Sequence, residues 1–209
     1  PKSAGPSPDS YMEAFKGDAE HVYVITISGA LSGSYNSAVL AAELYEEEYE
    51  DGKQIYVFNS KSASIGETLI GMKIQQLEEE GMGFEEIIEN VEAYIAEMNT
   101  FFVLETLETF VKSGRISNVK AIVADTLNIK PVMGSTDEGS VQKLSQGRGM
   151  KKALIRMTEE VIARTRDCEH RILAISHCNC PERAQMVKEM LEKASTFKDI
   201  FVVNMAGVS

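Results

Sequence analysis

The chain has 209 residues, of which 44% are hydrophobic and 25% charged, and its 32 acidic and 21 basic residues give a formal net charge of −11. That balance argues against nucleic acid as the main partner, because phosphate binding relies on clustered Lys and Arg. No apolar run reaches the ~18 residues of a membrane-crossing helix and no basic-then-apolar signal segment opens the chain, so a cytoplasmic protein without an integral membrane segment is expected. Cys168, Cys178 and Cys180 are too few for a disulfide framework and are expected as free thiols in a reducing compartment.

Gly5-Pro6-Ser7-Pro8-Asp9 resists helix until its end, and Ser7 or Asp9 is placed to cap a short helix through Phe15. The β-branched run at residues 21–27 predicts a strand. It enters Ser28-Gly29-Ala30-Leu31-Ser32-Gly33-Ser34-Tyr35-Asn36-Ser37, and a helix is predicted over residues 38–49. A strand that runs through glycines and hydroxyls into a helix puts N–H groups and side-chain hydroxyls at a positive helix end, where a carboxylate or phosphate is favoured. Residues 54–58 predict a second strand, and Asn59-Ser60-Lys61-Ser62-Ala63-Ser64 a second polar strand-to-helix junction. Two amphipathic helices follow: Leu69, Ile70, Ile74 and Leu77 mark the first, and Phe84, Ile87, Ile88, Val91, Tyr94, Ile95 and Met98 the second. Their acidic faces read as solvated surface. Residues 101–104 predict a third strand.

Strands alternating with helices imply crossover connections and a mostly parallel sheet, with ligands beyond the carboxyl ends of the strands. Both polar junctions lie at such ends and are expected to share one site.

From Glu105 the pattern changes. Short helices are predicted at residues 106–112 and 118–126, and strands at residues 128–133 and 141–144 flank the turn Thr136-Asp137-Glu138-Gly139. A helix at residues 150–166, a strand at 171–175, a helix at 181–194 opened by Pro181, and a strand at 200–204 complete the chain. The expected fold is α/β in two lobes: residues 1–104 with a mostly parallel sheet, and residues 105–209 with a mixed sheet.

Several separated blocks then coincide in order. They are Lys2-Ser3-Ala4-Gly5-Pro6-Ser7-Pro8, Leu31-Ser32-Gly33-Ser34-Tyr35-Asn36-Ser37-Ala38, Ser60-Lys61-Ser62-Ala63-Ser64-Ile65-Gly66, Ser113-Gly114-Arg115-Ile116-Ser117, Leu127-Asn128-Ile129-Lys130-Pro131 and Arg148-Gly149-Met150-Lys151-Lys152-Ala153. Together they resemble the DegV family, the fatty-acid-binding subunits of bacterial fatty acid kinase. The resemblance implies a two-lobed lipid-binding carrier, not itself an enzyme. It would hold one long-chain fatty acid in an apolar cavity and present the carboxylate to a separate fatty acid kinase catalytic subunit for acyl phosphate formation and phospholipid synthesis.

Carried over residue by residue, the resemblance puts the ligand carboxylate on the Ser32 hydroxyl and the Gly33 N–H. Ser3 stands where the family has a Thr donor. Arg115 and Arg148 fall at positions associated with the phosphorylated head group or with kinase docking. The family's opening strand with its Asp-Ser-Thr motif and its closing His-containing segment have no counterpart here, so the chain reads as missing an N-terminal and a C-terminal segment. From the residues themselves, Ser60, Ser62, Ser64 and Ile65 are a possible part of the pocket, with a cap and polar turn as the alternative.

No catalytic residue and no cofactor beyond the bound fatty acid is expected. His177-Cys178-Asn179-Cys180 lacks a second ligand pair at a recognised metal spacing, and no phosphate-binding Gly-rich motif or dinucleotide fingerprint is present. Two rival readings remain: a small α/β phosphotransferase or hydrolase using the same Ser-rich loop on an anionic small molecule, and a protein-interaction module.

Overall fold

The computed structural model describes residues 4–116 and 128–205, whose contacts form two compact units. Unit 1 takes the residues up to Met98 together with the turn Asp137–Ser140; unit 2 takes Asn99–Thr136 and the chain from Val141 onward. The helix expected at residues 118–126 lies outside the described residues.

Unit 1 comprises α1 (Pro8–Phe15), β1 (His21–Thr26), α2 (Ser34–Glu48), β2 (Gln54–Asn59), α3 (Ile65–Glu79) and α4 (Phe84–Glu97). Pro8 occupies the first turn of α1 and Ser7 Oγ accepts the Ser10 N–H at 3.3 Å, so the capping expected from the sequence is present. Strands β1 and β2 pair in parallel from His21↔Gln54 to Thr26↔Asn59, with α2 as the crossover.

Strand alternation sorts the side chains onto two faces. Tyr23, Ile25, Tyr56 and Phe58 pack with Ile70, Ile74 and Leu77 of α3 and Ile87, Val91 and Ile95 of α4. Val22, Val24 and Ile55 pack instead with Phe15 of α1 and Ala41 and Tyr45 of α2. Each fully buried member of these clusters contributes about 1.5–3 kcal/mol relative to exposure.

At the opposite end of β1 from the polar loops, Tyr23 Oη donates to Glu78 Oε1 at 2.6 Å, and His21 Nδ1 lies 2.8 Å from the same oxygen. The Tyr23 hydroxyl first, and His21 second, hold the Glu78 carboxyl below its ordinary value of 4.5. A carboxyl lowered on folding contributes stability that is present above that value and is lost as pH falls through the folded one. Glu78→Gln is therefore expected to flatten the acid side of the stability profile, measured as urea midpoints over roughly pH 3–5; an unchanged slope would show that the cluster contributes nothing.

Unit 2 holds β3 (Phe101–Phe102), α5 (Glu108–Lys112), β4 (Ile129–Ser135), β5 (Val141–Arg148), α6 (Met150–Arg164), a short 3-10 turn at Cys168–His170, β6 (Ile172–His177), α7 (Pro181–Ala194) and β7 (Asp199–Asn204). The expected third strand is shorter than residues 101–104. It pairs antiparallel with β4 rather than joining β1 and β2, which places the unit boundary after Met98 and not after residue 104. Phe101 and Phe102 point to opposite faces: Phe101 joins Leu154, Val161, Val187 and Leu191 of α6 and α7, and Phe102 joins Leu107, Ile116 and Met133. The mixed strand directions expected here are divided between a three-stranded antiparallel sheet, β3-β4-β5, and a two-stranded parallel sheet, β6-β7. Gly147 of β5 lies directly against the backbone of α6.

Among the described residues no helix is long and apolar enough to cross a membrane.

Candidate functional site

The two polar loops of unit 1 leave the carboxyl ends of the parallel strands side by side, and their backbones hold each other. Ser28 N–H donates to Ser62 O at 2.8 Å, and Ser60 N–H to Thr26 O at 3.2 Å. Asn59 Oδ1 accepts from both Gly29 N–H and Lys61 N–H, each at 3.1 Å, so a single side-chain oxygen ties the start of one loop to the start of the other. Ser28 is fully buried; its Oγ accepts the Ala30 N–H at 3.3 Å and donates to Gly139 O at 2.9 Å. Gly139 belongs to unit 1 by its contacts and has φ +83°, a conformation that L side chains rarely adopt.

The loops end in two helix N-termini with different chemistry. At α3, Ser64 is the N-cap, and its N–H donates to Glu67 Oε1 at 2.9 Å. Burial pushes the Glu67 carboxyl up, opposed by the Ser64 amide. This terminus therefore carries its own acid. At α2, Gly33 is the N-cap without a side-chain cap, and the first turn has no acidic residue. The helix begins at Ser34, earlier than the sequence pattern predicts, which makes Ser34 to Ser37 its first turn rather than loop. Its end carries the partial positive charge of unsatisfied N–H groups with no anion from its own first turn.

Ser32 stands beside that end. Its Oγ accepts the Ser34 N–H at 3.2 Å and lies 2.9 Å from Ser34 Oγ. With Ser34 as the donor in that hydroxyl pair, Ser32 Oγ accepts two hydrogen bonds and keeps its own proton for a ligand, polarised by the bonds behind it. Ser34 is buried, and a Cβ added at Gly5 would come within 2.3 Å of Ser34 Oγ. The segment leading into α1 thus passes the α2 terminus at close range.

Ser60 and Ser62 are buried and serve the loop itself: Ser60 Oγ donates to Ser62 O at 3.1 Å and accepts the Ser62 N–H at 3.1 Å. Ile65 opens α3 and is half-buried. An open groove of about 850 Å³ runs along α2 and β2, past Tyr35, Tyr49 and Tyr56, and is lined by Glu43, Glu46, Glu50, Asp51 and Glu85 against Lys53. That excess of carboxylates makes it a poor seat for an acid, and the α2 terminus is the better one.

The chain matches, over residues 1–209, the family model described as "Uncharacterised protein, DegV family". The chain belongs to the DegV family. It is similar to a DegV family protein from Ruminococcus gnavus, solved with vaccenic acid, at 53% identity and a TM-score of 0.94, covering 100% of this chain and 74% of that one. The Streptococcus pneumoniae Fatty Acid Kinase (Fak) B3 protein, solved loaded with linoleic acid, matches at 32% identity and a TM-score of 0.85, covering 96% of this chain and 70% of that one. A curated DegV domain-containing protein of Streptococcus pneumoniae is 39% identical over 161 residues, 77% of this chain. The chain spans 57% of that relative's length. The α/β architecture expected from the sequence is that of the DegV structures.

Of the residues that the DegV resemblance singles out, Ser32 and Gly33 stand at the α2 terminus. Ser3 lies outside the described residues. Arg115 and Arg148 are in unit 2: Arg115 is half-buried after α5, with its N–H on Phe110 O at 3.1 Å, and Arg148 ends β5 exposed. In the Cys-x-Cys stretch, Cys180 N–H donates to His177 Nδ1 at 3.2 Å, so this ring nitrogen serves the turn into α7. Ser28, Asn59, Glu67 and Gly139 are the parts of the site that the sequence did not single out individually.

Proposed function

We propose that this chain binds a long-chain fatty acid with its carboxylate at the N-terminus of α2, held by the Ser32 hydroxyl and the Gly33 N–H with help from Ser3. The chain then presents that carboxylate to a separate fatty acid kinase and is not itself the catalyst. Arg115 and Arg148 serve the phosphorylated head group or the kinase contact. The observation that carries this reading is the α2 terminus, with no acid in its first turn and with Ser32 Oγ on its leading amide, in a chain 53% identical to a DegV protein solved with vaccenic acid. A carboxylate taken out of water must be met by donors, and hydroxyl and amide groups at a positive helix end supply them. The alkyl tail adds about 0.8 kcal/mol for each CH₂ it buries. Three free thiols are consistent with work in the cytoplasm.

Native mass spectrometry of the purified chain tests the reading: a co-purified fatty acid is expected, whereas a retained sugar phosphate or nucleotide would overturn it. Incubated with ATP and fatty acid but no kinase, the chain is expected to make no acyl phosphate. Ser32→Ala is expected to weaken fatty acid binding by about 1.5–3 kcal/mol, the usual worth of a hydrogen bond to a charged group, with the fold preserved. Unchanged retention would remove Ser32 from the site.

A further inference from the structure

Fatty acid binding gives no role to His177-Cys178-Asn179-Cys180, the stretch that joins the carboxyl end of β6 to the first turn of α7. Cys178 is exposed and Cys180 half-buried, whereas Cys168 is buried and its thiol faces Thr165 O at 3.8 Å. Among the described residues no group of three His, Cys, Asp or Glu could hold a metal ion, which leaves the two accessible thiols to their own chemistry.

The turn keeps those thiols close. Cα atoms two positions apart are separated by at most about 7 Å, and a disulfide spans about 4.4–6.8 Å between them. The chain bends at Cys178 and Asn179, the latter with φ 50°, so the separation falls short of the extended limit. Asn is one of the few residues that visit this backbone readily. Pro181 keeps Cys180 out of helical backbone, at φ −137° and ψ 60°. Hydrogen bonds hold the bend: Asn179 N–H donates to Asn204 Oδ1 at 3.3 Å, Cys180 N–H to His177 Nδ1 at 3.2 Å, and Met205 N–H to His177 O at 2.9 Å.

We propose that Cys178 and Cys180 form a reversible disulfide with each other, using a low-molecular-weight disulfide as the oxidant. The exposed Cys178 thiolate attacks one sulfur of that oxidant, and the first small thiolate leaves. Cys180 then attacks the Cys178 sulfur of the mixed disulfide and displaces the second. Each cysteine gives up its proton to a departing thiolate, and two electrons pass to the oxidant. A disulfide that is exposed and closed through a single intervening residue belongs to the easily reduced class, so the site responds to redox balance rather than locking the fold.

The test equilibrates the 209-residue chain over a range of reduced and oxidised glutathione ratios, followed by acid quenching, trypsin and mass spectrometry. Trypsin separates Asp167–Arg171, which carries Cys168, from Ile172–Arg183, which carries both other cysteines. Under oxidising ratios the second peptide is expected to lose two hydrogens, and dithiothreitol is expected to restore them. Cys178→Ser and Cys180→Ser should instead leave the remaining thiol carrying glutathione. Because the folded turn holds the thiols together, the chain should reach half-oxidation at roughly tenfold less glutathione disulfide than the free peptide of residues 172–183. Thiols that stay reduced at every ratio, or that yield only mixed or interchain disulfides, overturn the proposal. A midpoint equal to that of the free peptide overturns the claim that the turn builds the site. Fatty acid retention by the reduced chain is measured separately, and the carrier reading stands or falls on that result alone.

Discussion

Gly139→Ala is expected to cost about 3 kcal/mol of folding stability and to weaken fatty acid binding as well. Part of the cost is conformational, because φ +83° penalises any residue with a Cβ by about 1–2 kcal/mol. The rest is overlap: the added Cβ would stand 2.3 Å from Ser28 Oγ and 2.8 Å from Lys61 Cα. The hydroxyl can rotate away, although doing so breaks its bond to the Gly139 carbonyl. The Lys61 backbone cannot, since its N–H is pinned to Asn59. Relief must come from the loops that carry Ser28 and Lys61, and the Ser28 loop leads directly to Ser32. Adding Ser28→Ala to Gly139→Ala should recover only the hydroxyl share of the loss. Equilibrium denaturation of the two single variants and the double variant measures this as a cycle. Wild-type stability in Gly139→Ala would show that the turn does not hold the loops.

Gly147→Ala is expected to be about as damaging for a different reason. The backbone of Gly147 is not in the left-handed region, so the whole effect is steric. A Cβ there would lie 2.3 Å from Ala153 N, 2.5 Å from Lys152 C and 2.6 Å from Ala153 Cα. These are backbone atoms of α6, and no side-chain rotation clears them. Either β5 and α6 separate, losing packing around Leu154 and Val161, or the first turn of α6 unwinds. Overpacking of this kind costs roughly 1–3 kcal/mol, and a backbone obstacle belongs at the upper end of that range. A fall in melting temperature of roughly 6–12 °C is the corresponding readout. A fall of under about 2 °C would mean that strand and helix approach less closely than described.

Much of the fold was legible because local signals agreed with one another. In α4 the apolar spacing is nearly uninterrupted, and in α7 Pro181 marks the first turn, so both were placed closely. The start of α2 was missed for a physical reason. Ser34, Tyr35, Asn36 and Ser37 have turn-forming composition, yet polar residues of this kind are well tolerated in a first helical turn, whose leading amides have no helix partners; the first helical bond runs from Ser37 N–H to Gly33 O at 3.0 Å. The third strand was misassigned because an apolar run such as Phe101 to Leu104 does not reveal its partner; only pairing with β4 decides it. Within the site, the Ser-Gly-Ser loop pointed to the α2 terminus, but the supports behind it did not show. Ser28 meets Gly139 across 111 positions of sequence, and Gly29 meets Asn59 across 30. The one available clue was an Asn at the end of a strand, a residue that commonly binds amides two positions on.

The double role of Asn59 also limits what can stand there. An aspartate would accept the same two amide protons with equal ease. It would, however, set a full negative charge under the loops at which we propose the acid binds, and so repel that ligand while leaving the scaffold intact. An uncharged carbonyl spares the proposed guest that repulsion, and on that reading the choice of amide over carboxylate at this one position is where architecture and ligand preference meet.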